Sequence, residues 1–145
     1  MKIEIKIVPE AVEPNLVIYT SEITQELTQL AAAIKNATGK VLAVWENSRI
    51  VVLRPEEVYM VRVEDEKTLV YGKTQTFSCS KRLYEIAELM GGDFLRISKS
   101  AIINLKFLDS VETSFSGMMQ VRLKNGSKDY VSRKYLPDLK KYLGL

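Results

Sequence analysis

Hydrophobic and polar residues alternate over residues 2–8: Ile3, Ile5 and Ile7 fall on one side and Lys2, Glu4 and Lys6 on the other, the pattern of a half-buried strand. Pro9 and Pro14 bracket a stiff connector in which helix is disfavoured. Leu16 to Tyr19 is a second short apolar run and predicts another strand. The period then changes. Ile23, Leu27, Leu30 and Ile34 recur at helical spacing, so residues 22–35 predict an amphipathic helix. Thr20 and Ser21 offer N-cap oxygens, Glu22 suits the positive helix end, and Asn36 and Gly39 are stop signals. The chain therefore opens as strand, strand, helix, a unit too small to fold alone.

From Lys40 the pattern is β. Val41–Trp45 and Ile50–Leu53 predict two strands around a turn at residues 46–48. Pro55-Glu56-Glu57 interrupts the pattern and Val58 to Val63 resumes it. Glu64-Asp65-Glu66 reads as a charged turn, followed by strands over 68–71 and 76–79. Ser80 is placed to cap a helix over 81–90, with Leu83, Ile86, Leu89 and Met90 on its apolar face and Gly91-Gly92 at its end. Short strands follow at 94–97 and 107–111, with an apolar run at 101–105 and a polar interruption at Ser98-Lys99-Ser100. Segments 118–123 and 130–132 pair across Asn125-Gly126, a dipeptide suited to a type I′ hairpin. A short helix over 134–143 tolerates Pro137 only near its first turn. The fold class is mostly β (α+β), with a domain boundary near residues 36–40.

Composition narrows the chemistry. The 145 residues contain no His and one Cys, which excludes a Ser-His-Asp triad, a Cys-His pair, His-ligated zinc and an internal disulfide. Cys79 has no identifiable base partner and reads as a structural thiol. Glu64-Asp65-Glu66 reads as a solvated hairpin tip, and Gly91-Gly92 follows a helix instead of opening one, so it is no phosphate loop. Neither an enzyme nor a cofactor or metal site is expected. Charges interrupt every apolar run, and the N-terminus lacks the pattern of a signal peptide, so a cytoplasmic, soluble protein is the expectation.

The net charge of +3 is unevenly placed. Residues 1–93 hold 11 Lys+Arg against 14 Asp+Glu, whereas residues 94–145 hold 10 against 4, a local excess of +6. Such asymmetry fits a polyanionic partner, and equally a lysine-rich solvated face. Arg96 and Lys99 flank the polar break, and Arg133 and Lys134 sit between a strand and the last helix. Ser98, Ser100, Asn104 and Ser132 lie among these cations and can hydrogen-bond phosphate or base edges. Arg96 has a structural alternative, pairing with a carboxylate such as Asp93. No stretch reads as a helix-turn-helix recognition helix.

The stretch Phe94–Asn104, FLRISKSAIIN, resembles the signature of the LytTR DNA-binding domain. Pro55-Glu56-Glu57-Val58-Tyr59, Leu83-Tyr84-Glu85-Ile86, Asn125-Gly126 and Val131-Ser132-Arg133-Lys134-Tyr135 resemble further family elements in family order, so the likeness covers residues 38–145. It implies short antiparallel sheets with small flanking helices, and sequence-specific recognition of duplex DNA through loops in successive major grooves, usually with DNA bending and commonly on paired repeats bound by two protomers. Carried over by position, it implies DNA contacts at Lys67 and Thr68, at Arg96, Ser98, Lys99 and Ser100, and at Arg133 and Lys134. Family members often carry His or Asn where Ser98 and Lys99 stand here. Residues 1–37 leave no room for a receiver domain, so the resemblance is to stand-alone bacterial regulators, a group in which a small membrane protein can restrain the regulator. The strand-strand-helix extension then serves dimerisation or partner docking, or covers a sheet edge. A module that keeps the fold and binds protein instead of DNA is the alternative.

Overall fold

Alternation makes a strand only where a neighbouring chain takes up the backbone N–H and C=O groups. The computed structural model describes residues 2–10, 15–37 and 40–145 and divides into two units, Met1–Thr38 and Gly39–Leu145. In the first unit, residues 2–8 and 16–19 form no strands, contrary to the sequence reading: neither segment pairs with another, and Ile3, Ile5, Ile7, Leu16 and Val17 are exposed. The helix is present as α1 (Gln25–Ala37). It starts later than the pattern predicts because Thr24, not Thr20 or Ser21, supplies the cap: its Oγ1 accepts the Leu27 N–H at 3.3 Å. Pro14 and Gly39 lie outside the described residues.

The second unit holds two antiparallel sheets. The larger comprises β1 (Leu42–Glu46), β2 (Arg49–Leu53), β3 (Met60–Glu64), β4 (Lys67–Tyr71), β5 (Thr76–Cys79), β6 (Phe94–Arg96) and β7 (Ala101–Asn104), in the order β2-β1-β5-β4-β3-β7-β6. The smaller comprises β8 (Leu108–Thr113), β9 (Met119–Leu123) and β10 (Lys128–Val131), in the order β10-β9-β8. Helix α2 (Leu83–Met90) follows β5, and α3 (Leu136–Leu143) closes the chain with Pro137 in its first turn. Ser80 does not cap α2. Its first residue follows Arg82, whose backbone N–H donates to the Glu85 carboxylate at 3.4 Å.

Strand parity sorts the core into two layers. On one face of the large sheet, Val61, Val70, Phe77 and Ile102 pack with Leu83, Ile86 and Met90 of α2. On the other, Met60, Ala101 and Ile103 pack with Val121, Leu123 and Val131 of the small sheet and Leu139 of α3. Each of the larger of these buried side chains contributes about 1.5–3 kcal/mol. Tyr59 and Phe107 stack in this second layer, 3.8 Å between centroids. Arg62 links the sheets. From β3 its guanidinium meets Glu64 at 2.6 Å, the Tyr71 hydroxyl at 2.7 Å and, on β10, Asp129 at 3.6 Å. Burial acts to lower its pKa, but Tyr71, Glu64 and Asp129 outweigh that and the net shift is upward, so the link stays cationic.

One turn differs from its sequence reading. Asn125-Gly126 does not form a type I′ turn, because only Gly126 has positive φ (89°). Its N–H donates to Leu123 O at 2.9 Å and Leu123 N–H donates to Ser127 O at 2.8 Å, a three-residue loop with a glycine bulge. Asn125 serves another purpose: its Nδ2 donates to Gly72 O at 2.8 Å, tying the hairpin to the loop between β4 and β5. The turn between β3 and β4 has the type I′ arrangement without glycine, Asp65 and Glu66 lying at φ 49° and 64°.

Candidate nucleic-acid interface

The β6–β7 connection is a compact hairpin loop. Ile97 N–H donates to Ala101 O at 3.0 Å, and Ser98 Oγ accepts the Ser100 N–H at 3.1 Å. Arg96 organises it from below: Nε donates to Ser98 O at 2.9 Å and Nη2 to Lys99 O at 2.5 Å. The guanidinium is thus spent on the loop backbone, and Asp93 pairs with Lys106 at 3.4 Å instead. The carboxylate alternative for Arg96 is corrected, and its geometry is that of a positioning residue. Lys99 and Ser100 are exposed on the loop and Ser98 is half-buried.

A second segment is pinned beside this loop. Ser132 N–H donates to Ile97 O at 2.8 Å, with its Oγ at 3.4 Å from the same oxygen. Ser132 O in turn accepts the N–H groups of Tyr135 (3.0 Å) and Leu136 (3.1 Å), starting α3. The turn between them displays Arg133 and Lys134 in solvent, with Lys134 Nζ 5.4 Å from the Tyr135 ring centroid. Ser132 is therefore a structural junction.

The third segment meets the loop from its other side. Val63 N–H donates to Ser100 O at 2.8 Å, next to the β3–β4 hairpin end where Glu64 pairs with Lys67. Lys67 is exposed, but it adjoins the exposed carboxylates of Asp65 and Glu66. Thr68 is 8% exposed, on the core-facing parity of Val70, so its side chain is turned inward and is not among the exposed groups of this surface. Asn104 is likewise no surface group. It is 1% exposed; its Nδ2 donates to Pro55 O (3.2 Å) and Val58 O (2.9 Å), and its Oδ1 accepts the Lys106 N–H (3.1 Å).

Backbone hydrogen bonds thus gather three segments distant in sequence, with Lys67, Lys99, Arg133 and Lys134 exposed upon them. The arrangement presents cations and hydroxyls on short loops held by sheets, which suits phosphate and base-edge contacts. Its fixed backbone gives Arg96 a measurable role. In Arg96→Ala, amide exchange at residues 98–100 is expected to speed at least tenfold while the rest of the sheet keeps its protection. Arg96→Lys restores little, because an ammonium cannot fork between two carbonyls.

Such a domain, antiparallel sheets displaying basic loops, belongs among nucleic-acid-binding folds. Residues 48–144 match the LytTr DNA-binding domain, and the chain belongs to that family. It is 29% identical over 114 residues to the sensory transduction protein LytT of Enterococcus faecalis, covering 78% of this chain and 47% of that protein. It is 31% identical over 112 residues to the sensory transduction protein LytR of Staphylococcus haemolyticus, covering 77% and 44%. The chain thus spans less than half the length of these two relatives. An HTH-type transcriptional regulator of Staphylococcus aureus is 23% identical over 146 residues, covering 100% of this chain and 99% of that one. In the Gly39–Leu145 unit no two α-helices are consecutive, since β6–β10 separate α2 from α3. The fold matches the LytTr DNA-binding domain of a methyl-accepting/DNA response regulator from Bacillus cereus, with a TM-score of 0.67, 23% identity, and coverage of 72% of this chain and 97% of that one. Among the described residues, no helix is long and apolar enough to cross a membrane.

Phe115 escaped the sequence reading. A large aromatic between Ser114 and Ser116-Gly117 is out of place in a turn, and that mismatch was its signal.

Proposed function

We propose that this protein regulates transcription by binding promoter DNA, with the Ser98–Ser100 loop and the Arg133-Lys134 turn entering the major groove. The observation that carries this reading is the convergence of the three segments through Val63–Ser100 and Ser132–Ile97. Arg133 is the base-reading residue, since a free guanidinium can pair bidentately with guanine O6 and N7. Lys99, Lys134 and Lys67 neutralise phosphates, Lys67 the least because of its acidic neighbours, and Ser98 and Ser100 add hydrogen bonds. Arg96 acts through the loop. Pairing two protomers on a repeat needs a surface to share, and the exposed Ile3, Ile5, Ile7 and Tyr19 of the first unit support a dimerisation role for it. A location in the cytoplasm follows from access to DNA.

Salt separates this reading from that of a protein-interaction module. Affinity for duplex DNA should fall linearly with salt on logarithmic axes, and Lys99→Ala should reduce the slope by about 1 while weakening all sequences alike. An unchanged slope with intact circular dichroism would remove Lys99 from the phosphate contacts.

A further inference from the structure

Phe115 stands fully exposed at the tip of the β8–β9 hairpin. The turn beneath it is ordered. Ser114 N–H donates to Met118 O at 2.8 Å, Gly117 N–H donates to Ser114 O at 3.0 Å, and the Ser114 and Ser116 hydroxyls lie 2.9 Å apart. Gly117 supplies the left-handed residue, φ 79°. An ordered turn that holds an aromatic ring in water forgoes about 1.5–3 kcal/mol of burial, which a binding partner can recover.

Strand register fixes which end of the small sheet carries the ring. Val131 pairs with Met119, and Met119 with Thr113. The 114–118 tip therefore leaves the sheet at the end where the chain passes from Val131 through Ser132 to Arg133 and Lys134. The Asn125-Gly126 turn lies at the opposite end. In the order β10-β9-β8 the tip joins β9, one strand from the β10 end that leads to Ser132, to β8, two strands from it, so it lies about 5–10 Å across the sheet from that end. The major groove of B-DNA is about 12 Å wide and the minor groove about 6 Å. With the Arg133 turn in a major groove, the tip comes over the flanking backbone and the adjoining base step.

We infer that Phe115, with the exposed Met118 beside it, is an apolar wedge that packs against a base step flanking the groove read by Arg133, and that this wedge is the source of the bend the family resemblance implies. This rests on the DNA-binding reading above. Inserted apolar side chains unstack a step in part and kink DNA by about 20–90°. Duplex DNA is the occupant favoured here because the ring shares its end of the sheet with two free cations. Its neighbours Ser114, Ser116 and Gly117 are also small and uncharged, so the tip can approach phosphates closely.

The test uses the full chain and a duplex carrying the motif recovered from a random pool. Two readouts are taken: energy transfer between dyes at the duplex ends, and fluorescence of 2-aminopurine placed at each step beside the motif. The unaltered protein is expected to shorten the end-to-end distance and brighten 2-aminopurine at one flanking step. Phe115→Ala should abolish both signals and weaken binding by up to tenfold, with the salt slope unchanged, whereas Phe115→Leu should keep most of each. Unchanged bending, 2-aminopurine signal and affinity in Phe115→Ala would overturn the wedge and leave DNA binding standing. Failure of the unaltered protein to bind any duplex would overturn both.

Discussion

Arg133→Ala is expected to lower affinity for the preferred duplex about 10- to 100-fold, the worth of one bidentate guanine contact of about 1–3 kcal/mol. The side chain is exposed on a turn whose backbone is held by Ser132 and the start of α3, so its removal leaves no cavity and no buried partner. Circular dichroism and the unfolding midpoint should therefore stay unchanged. Discrimination at one base position should relax, while binding to random duplex falls far less. Arg133→Lys should recover the non-specific part alone, because a point charge lacks the fork. Equal losses on preferred and random duplexes would reduce Arg133 to a phosphate contact.

Asn104→Leu should destabilise the domain by about 2–4 kcal/mol. The leucine is similar in size, but it strands the Val58 carbonyl, weakens the satisfaction of Pro55 O and leaves the Lys106 N–H without its acceptor. Each buried group left unpaired costs about 1–3 kcal/mol. For a domain whose total stability is about 5–15 kcal/mol, that lowers the thermal midpoint by about 10 °C or more. A fall of less than about 0.5 kcal/mol in urea unfolding would show that these carbonyls are satisfied by other means.

Arg133 and Asn104 also mark what could be read from the chain and what could not. Both are polar residues near apolar strands in a basic region, and both were candidates for DNA. Only tertiary placement separates them, since the partners of Asn104 lie 46 and 49 residues earlier. Most β elements from Leu42 onward are legible because a half-buried strand alternates; β7 reads only as an apolar run, since all four of its residues are buried and no alternation marks it. The same alternation over residues 2–8 misled, because no strand pairs with it. The caps fall later than the sequence suggests, at Thr24 three to four residues past Thr20-Ser21 and at Arg82 two past Ser80, because several polar residues compete for the role. Thr68 does carry a signal in the sequence: it stands two residues from Val70 and so shares its buried face. The gathering of the three loop segments had no local signal. It depends on Val63 meeting Ser100 and Ser132 meeting Ile97, bonds that exist only once both sheets are assembled.

Sequence-specific recognition of duplex DNA by this gathered surface is tested most directly by selection from a random duplex pool with the purified full chain at two salt concentrations. An enriched motif, present as a spaced repeat and retained at the higher salt, is the expected result. Binding without enrichment, lost as salt rises, would contradict it and leave only a non-specific basic surface.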